Sequence, residues 1–336
     1  MATMVDVAKL AGVSTSTVSH VVNGTRHVEE ETRQRVLKAI EETSYRQDVL
    51  ARAMRRSRTD TIGLIVSDAG EPAFAEMVRG VEQTAARHGV TLLLANSAED
   101  PEREARAVRT LLERRVDGLI LARAAGSTSE ALAALGQQDT PVVLMDRMSD
   151  LPFDQAGIEN AQPTNDLVQH FASQGHRRLL LVAGDIRVST LRERLESFGE
   201  AATAAGLSSL EQLTITAADP KVIEAEIEAA LDRREPPTAV IACGTVLAAI
   251  ALRTLQRRGL RMPDDIAFAT FDGFAYSDLF EPRLTTVRQP AFDVGVTAAE
   301  LLARRLADKS VEPTTVRLMP TIEYRRSSGE SPEPNA

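Results

Sequence analysis

With 336 residues, 43 % hydrophobic and 26 % charged, the chain is long enough for two or three domains with substantial apolar cores. Its one cysteine, Cys243, excludes a disulfide framework and a cysteine-built metal centre, and no apolar run reaches the length of a membrane span. The net charge of −9 is uneven: residues 1–58 carry ten Lys/Arg against seven Asp/Glu and the rest 29 against 41, so only a small basic head suits a polyanion.

In chain order, Asp6 and Lys9 interrupt any signal-peptide pattern, and a cytoplasmic protein is expected. The stretch "VDVAKLAGVSTSTVSHVVNG" (Val5 to Gly24) predicts two short helices around a turn at Gly12. In the first, Val5, Ala8, Leu10 and Ala11 recur near helical spacing. Ser14 reads as the N-cap of the second, with Val18, Val21 and Val22 inward and Thr15, Ser16, Ser19 and His20 outward. A third helix is expected over about 29–43, with Val36, Leu37 and Ile40 on its core side. This is a helix-turn-helix arrangement, whose second helix offers small polar side chains to base edges in the major groove, with Ser14 near phosphate. A solvated face on a small helical bundle is the alternative. Next comes "YRQDVLARAMRRSRTD" (Tyr45 to Asp60), with a helix-capable run from Val49 to Arg56 that ends in a basic cluster and is too short to be stable alone. It reads as a hinge ordered by DNA and a partner chain, or as a plain linker.

From Thr61 onward, apolar runs alternate with helical stretches. "TIGLIVSD", "VTLLLANS", "VDGLILAR" and "PVVLMDR" are followed by "RRLLLVAG", "LTITAA", "TAVIACG" and "IAFATFDG". Two successive α/β sets with parallel sheets flanked by helices are expected. Ligands of such folds sit at the carboxyl ends of strands, here in the cleft between the two sets. Asp68, Asp146 and Asp272 leave strands at those ends, either as ligand contacts or as turn formers. No GxGxxG, P-loop or GxSxG follows a strand, and the five histidines are scattered without an HxxxH. No catalytic residue, cofactor or metal is therefore assigned.

The head and hinge, together with "VEEETRQRVLKAIEETSY", "LARAMR", "EPRLTTVRQP" (Glu281 to Pro290) and "GVTAAELL", resemble the LacI/GalR transcriptional regulators over residues 3–325. The resemblance implies an N-terminal all-α helix-turn-helix head and an α/β two-subdomain core of the periplasmic-binding-protein type. Residues 1–45 would be the head, 46–59 the hinge helix or linker, and 60–325 the effector-binding core. Its N-subdomain would span about 60–158 and 288–318, and its C-subdomain about 159–287 and 319–325. The tail from 326 to 336 is polar and expected to be disordered.

The same resemblance places Thr15, Ser16 and His20 at base-reading positions, with Thr17, Ser19, Asn23 and His27 nearer the backbone. His20 stands where arginine is frequent. Met54 occupies the position of an apolar minor-groove wedge, and Arg52, Arg55 and Arg56 offset the acidic Asp48. Asp146, Asp272 and Arg194 fall on ligand-binding positions, with Ser189 beside them and Phe74 packing on the ligand. Cys243-Gly244 replaces a frequent Asn-Asp, which removes one amide contact; Cys243 reads as a buried small residue, with a redox sensor as the lesser alternative. The expected protein is a ligand-responsive repressor, nucleoid-associated, binding a double-stranded palindromic operator as a homodimer. Its effector would be a sugar-like small molecule, with no membrane involved. The alternative is an exported-type solute-binding protein without DNA function.

Overall fold

The computed structural model describes residues 2–24, 26–45, 58–208, 211–274 and 279–329. The expected hinge residues Arg52, Met54 and Arg55 lie outside the described residues, as do the Asn23 side chain and positions 330–336. The chain divides into a head, residues 1–59, and a body, residues 60–336.

The head holds α1 (Met4–Ala11), α2 (Thr15–Asn23) and α3 (Glu30–Thr43). A reciprocal capping box starts α1: the Thr3 hydroxyl accepts from Asp6 N, and the Asp6 carboxylate accepts from Thr3 N at 2.8 Å. Gly12 ends α1 at φ +66°, a left-handed turn that costs glycine little. Val7, Ala8, Ala11, Val18, Val36 and Ala39 form the core, with Val21, Val22 and Ile40 packed at its edge. Val5 and Leu10 do not belong to it and are 62 % and 53 % exposed. The inward face of α1 is set by Val7, Ala8 and Ala11, one helical turn apart, which rotates positions 5 and 10 outward. Leu37 is likewise exposed, because α3 turns Val36, Ala39 and Ile40 toward its neighbours.

The body contains two six-stranded sheets. In the first, β1 (Thr61–Val66), β2 (Thr91–Asn96), β3 (Gly118–Leu121), β4 (Val142–Met145) and β5 (Asp154–Ile158) run parallel. Its crossovers are α4 (Pro72–Arg87), α5 (Pro101–Glu113) and α6 (Ser129–Gly136). After α7 (Ala161–Ser173), the second sheet repeats the plan with β6 (Leu179–Val182), β7 (Gln212–Ile215), β8 (Ala239–Ala242), β9 (Ala267–Phe271) and β10 (Thr285–Arg288). Here α8 (Ser189–Ala204), α9 (Pro220–Leu231) and α10 (Thr245–Arg257) are the crossovers. The chain then returns to the first lobe as α11 (Ala291–Ala307) and β11 (Thr315–Leu318), and to the second as β12 (Thr321–Glu323), antiparallel to β10. The strand orders β5-β4-β3-β1-β2 and β10-β9-β8-β6-β7 match, so the lobes are two copies of one doubly wound design.

Most strands read as short apolar runs because both faces are covered. β5 and β10 differ. The buried Asp154 of β5 accepts from Arg304 Nη2 at 2.7 Å, Arg305 Nε at 2.8 Å and Thr314 N at 2.9 Å, which ties α11 and the approach to β11 onto the first sheet. Two glycines bring α4 and α11 together: a Cβ on Gly80 would collide with the Phe292 carbonyl, and one on Gly295 with the Met77 carbonyl.

Order does not stop at Arg325. Arg326–Ser328 forms a 3₁₀ turn with Ser327 and Ser328 fully buried. Ser327 Oγ donates to the Phe268 carbonyl at 2.7 Å and accepts from Thr285 N at 2.8 Å, while Ser328 Oγ lies 2.9 Å from His170 Nε2. The expected disordered tail therefore does not begin at 326, because these hydroxyls pair polar groups inside the second lobe.

Candidate functional site

In the head, Ser14 caps α2: its Oγ accepts from Thr17 N at 3.1 Å and lies 2.7 Å from Ser16 Oγ and 2.8 Å from Thr17 Oγ1. Ser14, Thr15, Ser16 and His27 are exposed, and Thr17, Ser19 and His20 half-buried, while Val18 is fully buried on the inward face. The hydroxyl cluster is thus both the cap that starts α2 and its solvent-facing surface.

In the body, the carboxyl ends of the two sheets line a cleft of about 440 Å³. Phe74, Asp146, Arg194, Cys243 and Asp272 all line it. Ser189 does not. Thr190, Leu191 and Arg194 occupy the cleft face of α8, so the 100° step per residue turns Ser189 and Arg192 to its other side.

Asp146 and Asp272 hold equivalent places after β4 and β9. Both are left-handed, at φ +66° and +55°, and their amides donate to Ala156 O at 2.8 Å and Val287 O at 3.1 Å on the next strand. Such a conformation at two matching strand ends is local strain held by the surrounding sheet. Burial pushes the Asp146 carboxyl up to about 6 against the pull of Arg147 and Arg194. It raises Asp272 too, against Arg194 and against Gln289, whose Nε2 donates to Asp272 Oδ1 at 2.5 Å. Arg194 is buried, donating from Nε to Asn160 Oδ1 at 2.9 Å and from Nη1 to the Cys243 carbonyl at 2.8 Å, with its guanidinium 4.0 Å above the Phe271 ring. Cys243 thus contributes its main chain. Its thiol is fully buried and pushed up to about 12, which removes the thiolate a redox sensor needs.

Several cleft residues were not reached from sequence. Arg147 binds Glu99 through two hydrogen bonds, of 2.8 and 2.5 Å, and lies 6.0 Å over the Phe74 ring. Glu71 precedes Pro72 at the start of α4, and burial raises its carboxyl, helped by Asp272 and Asp68. Its position in "GEPAF", and that of Gln289 in "TTVRQP", were signals available beforehand. Three helices that open on the cleft, at Glu71, Val188 and Gly244, have no side-chain cap, whereas α9, whose start also lines it, is capped by Asp219. The cleft therefore offers carboxylate acceptors, a guanidinium, helix N-termini and the Phe74 ring together. Among the described residues, no cluster of three or more His, Cys, Asp or Glu could hold a metal.

A two-lobed, ligand-accepting body joined to a helix-turn-helix head defines a ligand-responsive transcriptional regulator. Residues 3–48 match the bacterial regulatory proteins, lacI family, and residues 59–325 the periplasmic binding proteins and sugar binding domain of LacI family. The chain belongs to the LacI family. It is 37 % identical to the HTH-type transcriptional repressor PurR of Aliivibrio salmonicida (strain LFI1238), over 97 % of this chain and 99 % of that protein. The PurR repressor of Aliivibrio fischeri (strain MJ11) is 36 % identical over 97 % and 98 %. Among solved structures, the lac repressor dimer bound to operator and the anti-inducer ONPF superposes with a TM-score of 0.86 at 25 % identity, covering 98 % of this chain and 99 % of that one. The transcriptional regulator CelR–cellobiose complex gives 0.71 at 29 %, covering 97 % and 100 %. These relatives are regulators rather than enzymes, and the match of the head sets aside a solute-binding protein without DNA function. Among the described residues, no helix is long and apolar enough to cross a membrane.

Proposed function

We propose that two copies of this chain bind a palindromic operator in the nucleoid and respond to a polyhydroxylated small molecule held in the body cleft. In each head Thr15, Ser16 and His20 read base edges from α2, and Ser14, Thr17, Ser19, Asn23 and His27 contact the backbone. Arg52, Met54 and Arg55 act at the minor groove. In the cleft, Asp146, Asp272 and Arg194 bond ligand hydroxyls while Phe74 packs on the ring.

The observation that carries the ligand assignment is the pair Asp146 and Asp272. They are equivalent carboxylates from opposite lobes, both partly buried in one cleft beside Arg194, and a molecule with hydroxyls on both faces satisfies them together. The lac repressor structure with operator and anti-inducer and the CelR structure with cellobiose support this reading by likeness.

The test is fluorescence anisotropy of the full chain on its own upstream DNA, with and without a panel of sugars and related metabolites. Tight binding that falls steeply with salt and changes with one compound is expected, and its direction assigns inducer or corepressor. A flat salt response refutes the operator assignment. A compound that acts equally on Arg194→Met refutes the cleft assignment.

A further inference from the structure

A second cavity, of about 180 Å³, adjoins the cleft and shares Arg147, Arg187 and Val188 with it. Four arginines line it: Arg123 and Arg147 follow β3 and β4 of the first lobe, and Arg187 and Arg192 flank the start of α8 in the second. Asp150 is the carboxylate on its wall. Three of the arginines have acidic partners outside it, Arg147 with Glu99 at 2.5 Å, Arg187 with Asp185 at 2.6 Å and, loosely, Arg192 with Glu196 at 4.0 Å. Arg123 donates from Nη2 to the Ser127 carbonyl at 2.6 Å, but its Nε is buried with no hydrogen-bond partner. The Ser189 hydroxyl, in the first turn of α8, is also buried and unpaired, and Val188 provides no side-chain cap for that helix. Burial lowers the Arg123 pKa; Glu104 opposes this, and the Arg147 and Arg192 charges add to it.

Unpaired donors, four arginines against the single carboxylate of Asp150 on the wall, and an uncapped helix start come together here from both lobes. A carboxylate has two oxygens and would leave part of this set unmet, whereas a tetrahedral phosphoryl group presents three or four. We propose that this cavity binds a phosphoryl group, as free phosphate or as the phosphate of a monoester seated in the adjoining cleft, and so bridges the two lobes.

The proposal does not rest on operator binding, and the test omits DNA. The full chain is titrated calorimetrically with inorganic phosphate, ribose 5-phosphate and ribose. Saturable binding of inorganic phosphate identifies the free ion as the source; binding of ribose 5-phosphate without inorganic phosphate or ribose identifies the monoester. In either case Arg192→Gln, on a side chain that is 53 % exposed, is expected to weaken binding about tenfold or more. Ser189→Ala, which removes only the hydroxyl, is expected to weaken it by a smaller factor while the phosphate-free melting temperature stays unchanged. The proposal is overturned if neither phosphate compound binds, or if both variants bind as the wild type does.

Discussion

Asp146→Asn is expected to stabilise the body at neutral pH and to weaken its ligand binding. The Asp146 carboxyl is partly buried and its pKa stands at about 6, against 3.8 for an ordinary aspartate. In the unfolded chain the group releases its proton near 3.8; in the folded chain it keeps it to about 6. Between these values the native state binds a proton that the unfolded state lacks, so stability present at about pH 4 is lost as the pH rises through 6. At about 1.4 kcal/mol per pH unit, the cost of the buried charge at pH 7.5 is about 3 kcal/mol. Asparagine tolerates the left-handed φ of +66° and keeps the main-chain bond to Ala156 O, while Arg147 retains Glu99 as its partner. Urea titrations of variant and wild type at pH 4 and 7.5 should therefore nearly coincide at the lower pH, with the variant more stable by up to about 3 kcal/mol at the higher. Ligand affinity should fall by about tenfold, because a charged acceptor is lost. A variant less stable than wild type at pH 7.5, or one whose advantage is the same at both pH values, would refute the burial argument.

Three further outcomes follow from packing and caps. Gly295→Ala drives a methyl group into the Met77 carbonyl on α4, where the backbone cannot move aside as a side chain would; denaturant unfolding should show a loss of roughly 2 kcal/mol or more. Ser327→Ala leaves the Phe268 carbonyl and the Thr285 amide unpaired inside the second lobe, and the same measurement should show a loss of about 1–3 kcal/mol. Ser14→Ala removes the α2 cap at a cost of about 1 kcal/mol to the head, so operator affinity should fall while the melting of the body stays as in the wild type.

The strands legible in the sequence are those that read as short apolar runs, including the partly exposed edge strands β2 and β7. "TIGLIV", "LLLV" and "AVIA" sit between helices on both faces. β5 ("DQAGI") and β10 ("TTVR") escaped because their buried polar residues are paired by partners far along the chain: Asp154 by Arg304 and Arg305, Thr285 by Ser327 and Arg325. The cleft was legible in the same partial way. Asp146 and Asp272 announce themselves as strand ends, and Arg194 and Phe74 came with the family resemblance. The roles of Glu99 and Arg147 depend on two loops of the first lobe meeting each other, which no local pattern encodes, whereas Glu71 stands beside Phe74 in "GEPAF". Ser189 misled because neighbours on a helix point 100° apart.

The site also has a physical connection to the segments that join the lobes. Arg194 bonds Asn160, which lies between β5 and α7 where the chain first crosses from one lobe to the other. Asn160 Nδ2 donates to Glu193 Oε2 at 2.7 Å, and Glu193 accepts from Arg317 at 2.9 and 3.0 Å. Arg317 belongs to β11, immediately before the last crossing into β12. A ligand that draws on the Arg194 guanidinium therefore acts on a side chain already bonded to the first crossing and, through Glu193, to the last. The two partly buried aspartates add the energetic incentive. Each lobe carries one carboxylate whose burial is costly alone, and a ligand that satisfies both relieves the cost only when the lobes are held at one separation. Binding and lobe geometry are thus linked in the same free energy, and that linkage works in both directions: whatever fixes the lobes from outside the cleft must also change the affinity inside it.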